Sequence, residues 1–183
     1  MDQNKLVIII NGKGGTGKDT VCELAARHYK VRNVSSIDPI KKIAERYGWH
    51  GEKDARARKF LSDLKQAFVD YNDLPNTYVR QQYQEFMAGD EEIMFVHIRE
   101  GAQIDAFKAE IASKCVTLLV HSDGRSQGAY GNASDDQAED YAYDYRYVND
   151  KPLSELEGDF MAFFRDILSE QGLTLSRREP AGQ

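Results

Sequence analysis

One short turn constrains the fold of this chain more than any other feature of its sequence. The continuous apolar run Leu6–Ile10, rich in β-branched residues, is typical of a strand that is buried on both faces. A glycine-rich segment at 11–18 follows directly, and residues 19–30 then show the helical spacing of an amphipathic helix. A strand, a tight turn and a helix in this order predict the first unit of a parallel sheet.

The spacing inside that turn indicates what it binds. Gly12, Gly17 and Lys18 satisfy the pattern G-x-x-x-x-G-K in the strand-to-helix context that gives the pattern its meaning. Glycines let backbone N–H groups converge on phosphate oxygens, and the helix N-terminus adds a partial positive charge. Lys18 is expected to bridge the β- and γ-phosphates. A purely structural turn is the alternative, and the register after an apolar strand argues against it. The predicted nucleotide-binding residues are Gly12, Lys13, Gly14, Gly15, Thr16, Gly17, Lys18, Asp19 and Thr20.

Strand-like and helix-like segments alternate through the rest of the chain. Further strands are predicted at 31–38, 93–98, 115–120 and 145–148. Further helices are predicted at 39–49, 52–71, 77–87, 102–112 and 153–171. The alternation predicts an α/β fold with three α/β/α layers around a five-stranded parallel sheet, in one domain spanning 1–175. Residues 176–183 are expected to form a disordered tail.

Composition and charge limit the classes of partner. The chain of 183 residues is 41% hydrophobic and 30% charged, with a net charge of −6, which argues against a surface that coats nucleic acid. Cys22 and Cys115 have no metal-ligand spacing, so buried free thiols are expected, as in a reducing cytosol. No apolar run has signal or membrane length. We expect a soluble cytoplasmic protein without a nucleic-acid or membrane partner, and the oligomeric state stays open.

The residue after Lys18 separates two families that the loop resembles. "KGGTGK" (13–18) is similar to the deviant loop of DNA-partitioning ATPases, in which the lysine at position 13 would reach across a dimer. That family keeps a hydroxyl directly after the loop lysine. Here Asp19 comes first and Thr20 second, which resembles adenylate-kinase-like loops. Asp19 therefore indicates a small-molecule kinase, and it is predicted either to hold a magnesium-bound water or to cap the helix.

Three further segments extend the resemblance in the right order. "SIDPIKKIA" (36–44), "HIRE" (97–100) and "SDDQAEDYAYDYRYVND" (134–150) resemble segments of phage-type deoxynucleoside monophosphate kinases. Phosphomevalonate kinase, a sister family, shares a similar loop, "PLK"-like segment and lid. The resemblance spans about residues 5 to 170. It implies a P-loop kinase fold with a short lid, ATP and Mg²⁺ as cofactors, and a small phosphorylated acceptor as substrate.

Several charged residues are candidates for the acceptor and the lid. Arg99 follows a buried strand at the edge where such sheets bind ligands, and its planar fork suits the acceptor's phosphate during catalysis. By resemblance, Asp38 and Lys41 would border the same acceptor, and Arg58 would contribute from an acceptor-side helix. The polar stretch 121–140 exceeds the usual connection length and predicts a lid. Arg125 is the only arginine in that stretch, so it is expected to close over the ATP phosphates as a catalytic residue.

One position departs from the family. The family's third strand ends in an aspartate that helps to organise magnesium, and this chain has His97 there. A neutral imidazole is a poor ligand for a hard, oxygen-seeking cation. Either Asp19, the predicted metal-binding residue, compensates together with water, or activity is weak or lost. His97 itself is interpreted as a packed histidine at a strand end rather than as a catalytic base.

The leading hypothesis is an ATP-dependent phosphotransferase. It would move the γ-phosphate to a small phosphorylated acceptor, most consistent with a (deoxy)nucleoside monophosphate, mainly by positioning and by cations around the transferring group. The alternative is a nucleotide-binding regulatory ATPase, either partition-like or a kinase relative that has lost turnover. ADP formation that depends on an added acceptor distinguishes the two. The base, the sugar and the preferred donor stay open.

Overall fold

A parallel β-sheet organises the computed structural model, which describes residues 4–122 and 139–175. The strands are β1 (Leu6–Asn11), β2 (Val31–Ser35), β3 (Ile93–His97), β4 (Lys114–His121) and β5 (Tyr145–Val148). Their spatial order is β2-β3-β1-β4-β5, and every neighbouring pair runs parallel. The helices of the described part are α1 (Lys18–His28), α2 (Asp38–Arg46), α3 (Ala55–Asn72), α4 (Leu74–Ala88), α5 (Gly101–Glu110) and α6 (Leu153–Glu170). The predicted α/β/α fold with a five-stranded parallel sheet is confirmed.

Strand β1 shows why the sheet has a core on each face. Successive side chains of a strand point to opposite faces. Leu6 and Ile8 pack in a cluster with α1 and α6, whereas Val7 and Ile9 pack in a second cluster with α4 and α5. Every residue of β1 is buried. A strand buried on both faces and paired on both edges fixes the position of whatever follows it.

The register of the sheet brings the carboxyl ends of the strands to one edge. His97, the last residue of β3, lies beside Ile10 of β1 and Ser35 of β2. On the other side of β1, Asn11 pairs with Leu119 of β4. The strand order reverses at β1, since the chain first crosses to β2 and later returns to β4. Ligands of open α/β sheets bind at such a switch point, outside the carboxyl ends of the strands.

Local hydrogen bonds explain where the observed elements differ from the predicted ones. The second strand ends at Ser35 rather than at residue 38, because the Ser35 N–H donates to the Asp38 carboxylate at 2.7 Å and α2 begins at Asp38. The break predicted at 72–76 is narrower, since Asp73 alone, with φ 54°, separates α3 from α4. Short polar side chains adopt this left-handed conformation more readily than most.

Three sequence-based expectations concern other parts of the chain. The predicted lid at 121–140, with Arg125, lies outside the described residues except for its first two and last two positions, and the tail 176–183 lies outside them entirely. Both cysteines are free, but only Cys22 is fully buried and Cys115 is half-buried. Within 4–122 and 139–175, no helix combines the length and apolar character needed to cross a membrane.

Candidate functional site

The glycine-rich turn lies at the carboxyl end of the central strand. Gly12 approaches the neighbouring strand so closely that a Cβ there would lie 2.4 Å from the carbonyl oxygen of Val120. Gly17 has φ 88°, a left-handed conformation, and a Cβ there would lie 2.3 Å from Nδ2 of Asn149. Only glycine satisfies both positions without strain. The two motif glycines are therefore required by backbone geometry at the start and at the end of the loop.

Helix α1 begins where the loop ends. Lys18 is its first residue, and no side chain caps its N-terminus. The first N–H groups of a helix lack intrahelical partners and carry a partial positive charge, so this end favours an anion. Asp19, in the first turn, does not act as a cap, and its side chain is 82% exposed. The capping role considered for Asp19 is not seen in this structure.

Asn11 connects the loop to two other segments of the carboxyl edge. Its Nδ2 donates to the backbone oxygen of Arg99 at 3.0 Å and to the hydroxyl of Tyr143 at 2.8 Å. Its Oδ1 accepts from the N–H of Gly12 at 2.8 Å. The side chain is buried, where an unmade hydrogen bond is costly. Asn11 thus fixes the start of the loop relative to Arg99, two positions beyond the end of β3.

Asn149 and Thr16 hold the other half of the loop. The Thr16 hydroxyl donates to the backbone oxygen of Lys13 at 2.9 Å. Asn149 donates from Nδ2 to the backbone oxygen of Thr16 at 2.9 Å. Its backbone N–H donates to the backbone oxygen of His121 at 2.7 Å. Sequence reasoning assigned no role to Asn11 or Asn149. The available signal was a polar residue at the carboxyl end of a buried strand, which is the edge where ligands bind.

Charged residues predicted from the sequence converge on His97. Burial lowers the pKa of His97, the Asp19 carboxylate opposes that shift, and the charges of Lys18, Lys41 and Arg99 act in the same direction as burial, so that the pKa is about 4. The charges of these four side chains therefore all act on one ring. The structure therefore brings residues from α1, α2 and the β3–α5 turn to one place.

Asp38 belongs to the same group of charges. Burial raises the pKa of its carboxyl, while the N–H of Ser35 and the charge of Lys41 act in the opposite direction. Asp19 also acts on it, through like charge. Asp38 makes a short hydrogen bond that ends β2, so the residue has a local structural role beside its predicted position at the acceptor.

The contacts of His97 fix its orientation. Its side chain is 12% exposed. Nε2 lies 2.8 Å from Oδ1 of Asn33 and 3.8 Å from Sγ of Cys22. Nδ1 lies on the other side of the ring, 3.9 Å from Oδ1 of Asp19. The ring is thus held from β2 and α1 at the point where β3 ends.

Two other predicted residues belong to other parts of the molecule. Arg58 is half-buried on α3. Lys65, also on α3 and not predicted, lies 3.4 Å from the carboxylate of Glu100, the residue after Arg99. Lys13 lies 3.4 Å from the carboxylate of Glu139 in the same chain. The Lys65–Glu100 pair connects α3 to the β3–α5 turn.

The donor set for a metal ion is small. In residues 4–122 and 139–175, no three His, Cys, Asp or Glu side chains lie together in a way that would hold a metal. Asp19 supplies one exposed carboxylate beside the loop. Mg²⁺ usually keeps several waters and binds through one or two carboxylates plus substrate phosphates. A single carboxylate next to the glycine-rich turn fits that pattern if the turn holds phosphates.

One solved kinase is similar to this chain in fold, and two others match less well. A candidate kinase from Chloroflexus aurantiacus matches with a TM-score of 0.55 at 13% identity, covering 92% of this chain and 98% of that one. An unliganded sugar kinase from Janibacter sp. HTCC2649 gives 0.48 at 15% identity, covering 93% and 98%. APS kinase from Mycobacterium tuberculosis, in complex with AMPPNP and APS, gives 0.46 at 12% identity, covering 88% and 98%. No protein-family model and no curated protein matches the sequence.

The first of these comparisons defines the fold and nothing finer. A glycine loop between the central strand and α1, in a sheet of order β2-β3-β1-β4-β5, is the arrangement of a phosphate-loop kinase fold. At 13% identity the likeness concerns the fold alone. Fold does not by itself give function, which has to be argued from the site.

Proposed function

We propose that this chain is an ATP-dependent phosphotransferase that acts on a small phosphorylated acceptor. The observation that carries the proposal is the convergence at the carboxyl edge of the sheet. A glycine turn and the N-terminus of α1 lie at that edge, and the charges of Lys18, Lys41 and Arg99 act on one buried ring there. Phosphoryl transfer needs positioning and cationic stabilisation rather than covalent help from the protein. The fold match to a candidate kinase supports the same class.

The proposed donor site is the turn together with the start of α1. Backbone N–H groups of 13–20 would bind the phosphates of ATP, and Lys18 would neutralise charge on the β- and γ-phosphates. Mg²⁺ would be held by Asp19 and by the phosphates, and when bound it offsets the negative charge of the transferring group. Asn11, Thr16 and Asn149 keep the turn in shape before any ligand arrives. Such preorganisation avoids a cost of reordering on binding.

The proposed acceptor site lies between α2 and the β3–α5 turn. Arg99 and Lys41 are the two cations of His97's surroundings that do not belong to the donor turn. A second phosphate, carried by the acceptor, is the ligand that such a pair of cations favours. A (deoxy)nucleoside monophosphate satisfies this requirement and agrees with the resemblance of segments 36–44 and 97–100. The lid at 121–140, with Arg125, would complete the site by excluding water.

A second candidate function is an acceptor-independent regulatory ATPase. One observation favours it: His97 offers a nitrogen where a hard cation prefers oxygen. In the partition-like form of this candidate, Lys13 would reach across a dimer. In the described structure Lys13 has an ion-pair partner in its own chain, Glu139. The kinase proposal therefore does not need Lys13 in a second subunit.

The proposal is tested by asking whether ADP formation depends on an acceptor. Purified full-length chain is incubated with ATP and each of a panel of nucleoside and deoxynucleoside monophosphates, with Mg²⁺ and in parallel with Mn²⁺. We expect ADP and a phosphorylated product to appear together with one or a few acceptors. ATP hydrolysis at one rate with every acceptor and with none would favour the regulatory ATPase instead. Loss of that hydrolysis and of ATP-dependent dimerisation in Lys13→Ala would identify its partition-like form.

A further inference from the structure

The side chains of Asp19 and His97, each with a lone pair that can bind a metal ion, face each other beside the glycine-rich turn. Asp19 projects from the first turn of α1, and His97 ends β3. Oδ1 of Asp19 and Nδ1 of His97 lie 3.9 Å apart. Two bonds of about 2.1 Å that meet at about 90° in an octahedral site place their ligand atoms about 3.0 Å apart, so a shared ion needs the two atoms to come closer than they are here. Asp19 is exposed enough to rotate toward a closer geometry.

The hydrogen bond on the far side of the ring decides which nitrogen is available. Nε2 lies 2.8 Å from the amide oxygen of Asn33, which is an acceptor, so Nε2 carries the proton. In a neutral imidazole the other nitrogen, Nδ1, then carries the lone pair. Metal-bound histidines almost always donate their second ring N–H to an oxygen acceptor, which fixes the tautomer and the orientation. Asn33 already provides that support in this structure.

We propose that His97, through Nδ1, and Asp19 together bind the divalent cation that accompanies the nucleotide, and that this pair favours a transition-metal ion such as Mn²⁺ over Mg²⁺. The inference rests on the proposed nucleotide site, because nucleotide phosphates and water must supply the remaining ligands. Imidazole nitrogen suits first-row transition ions, whereas Mg²⁺ prefers oxygen throughout its coordination sphere. A pair of ligand atoms made of one nitrogen and one carboxylate oxygen therefore favours Mn²⁺ over Mg²⁺.

The test begins with a direct spectroscopic signature. The full-length chain is prepared with ordinary histidine and with ¹⁵N-labelled histidine, and each sample is loaded with Mn²⁺ and ADP. Electron spin-echo envelope modulation then reports nitrogen nuclei bound to the ion. We expect an imidazole coupling that changes on labelling, which separates it from the unlabelled nitrogens of the adenine ring. This measurement needs no variant and therefore does not depend on any variant's folding.

Variants then assign the signal to one residue. His97→Gln should lose the histidine coupling, whereas His50→Ala, at an exposed position between α2 and α3, should keep it. His97→Asp supplies oxygen instead of nitrogen, so the ratio of the ADP affinities measured with Mn²⁺ and with Mg²⁺ should fall about tenfold in calorimetry. A histidine coupling that survives in His97→Gln, or an unchanged affinity ratio in a folded His97→Asp, overturns the proposal.

The outcomes also separate this inference from the function on which it rests. ADP that binds with either metal while no histidine coupling is seen overturns the metal assignment and leaves the nucleotide site standing. ADP that binds with neither metal overturns the proposed function, and the metal assignment with it. A histidine coupling with Mn²⁺ and ADP that is lost in His97→Gln supports both.

Discussion

Helices α1 and α3 both reach the carboxyl edge of the sheet, α1 at its first turn and α3 through Lys65, but they are held in different ways. Helix α1, which carries the phosphate turn, buries Val21, Cys22, Leu24 and Ala25 against the sheet and α6. Helix α3 is longer, with 18 residues, yet Ala57 is its only fully buried residue. Its apolar stripe, including Leu61, Leu64 and Phe68, is half-buried, and Phe60 is exposed. The core thus determines the position of α1 and only weakly that of α3.

Local interactions and a contact to the β3–α5 turn add to the packing of α3 against α2 and α4. Asp54 caps its N-terminus by accepting from the N–H of Ala57 at 2.8 Å. Lys65 reaches Glu100 in the β3–α5 turn. Local interactions of this kind contribute about 1 kcal/mol or less each, far less than a buried helix face does. Elements held so weakly are those that move when a ligand binds. We therefore expect the proposed donor side to be preformed, and α3, which contacts the β3–α5 turn beside the proposed acceptor site, to shift when a ligand binds.

The largest effect is expected from removing the Lys18 side chain, which takes a charge from the proposed donor site without disturbing the packing of α1. Lys18→Ala should lower phosphoryl transfer by on the order of a thousandfold and weaken ATP binding strongly, because a cation beside the transferring phosphate is lost. Calorimetry with ATP and steady-state kinetics measure both effects. Lys59→Ala, which removes an exposed ion pair with Asp63 on α3, is the matched control and should leave both unchanged. Equal ATP affinity in Lys18→Ala and wild type would show that this turn does not bind phosphates.

A substitution at Arg99 should show whether this residue serves the proposed donor site or the proposed acceptor site. Arg99→Ala should lower kcat/KM for the acceptor by about tenfold to a hundredfold, because charge-assisted hydrogen bonds of roughly 1.5–3 kcal/mol are lost. ATP affinity should stay the same. Arg99→Lys should restore only part of the loss, since an ammonium keeps the charge but not the planar fork. Weaker ATP binding with normal acceptor kinetics would move Arg99 to the donor site.

A glycine substitution tests whether the turn is held by geometry alone. Gly17→Ala should destabilise the protein by about 1–3 kcal/mol, because a left-handed φ is strained for alanine and the new Cβ displaces Asn149 from Thr16. Gly14 is the matched control in the same turn, since a Cβ there meets nothing within 4 Å. Urea unfolding compares Gly17→Ala with Gly14→Ala. Equal stability of the two variants would mean that Asn149 does not constrain the loop.

The smallest expected effect is a difference between α1 and α3 in the rate at which their backbone amides exchange with solvent. Backbone amides in the middle of α3 should exchange with solvent at least on the order of tenfold faster than those of α1, because little buried surface opposes local opening of α3. Adding ATP together with an acceptor should slow exchange in α3 and leave α1 nearly unchanged. Hydrogen exchange read by mass spectrometry gives both comparisons. Equal protection of α1 and α3 from hydrogen exchange without ligand would show that the two helices are held equally firmly.

The sequence alone determined the fold class and the glycine turn between β1 and α1, since both depend on short-range patterns. Alternating apolar runs specify a parallel sheet, and the spacing of Gly12, Gly17 and Lys18 specifies a turn that leads into a helix. For the same reason, residues that follow strands could be predicted to lie at one edge of the sheet. Arg99 and Lys41 lie near His97 because the carboxyl ends of parallel strands meet at one edge.

Only the tertiary structure decided the contacts that join distant parts of the chain. Asn149 supports Thr16 across 133 positions, and Asn11 reaches Tyr143 across 132. The apolar residues of α3 have helical spacing, and the structure leaves that stripe half-exposed. Periodicity states which residues share a face, but the register and packing of other elements decide what covers it. The separation of 3.9 Å between Asp19 and His97 arises in the same way, from two strands and a helix that meet only in the folded chain.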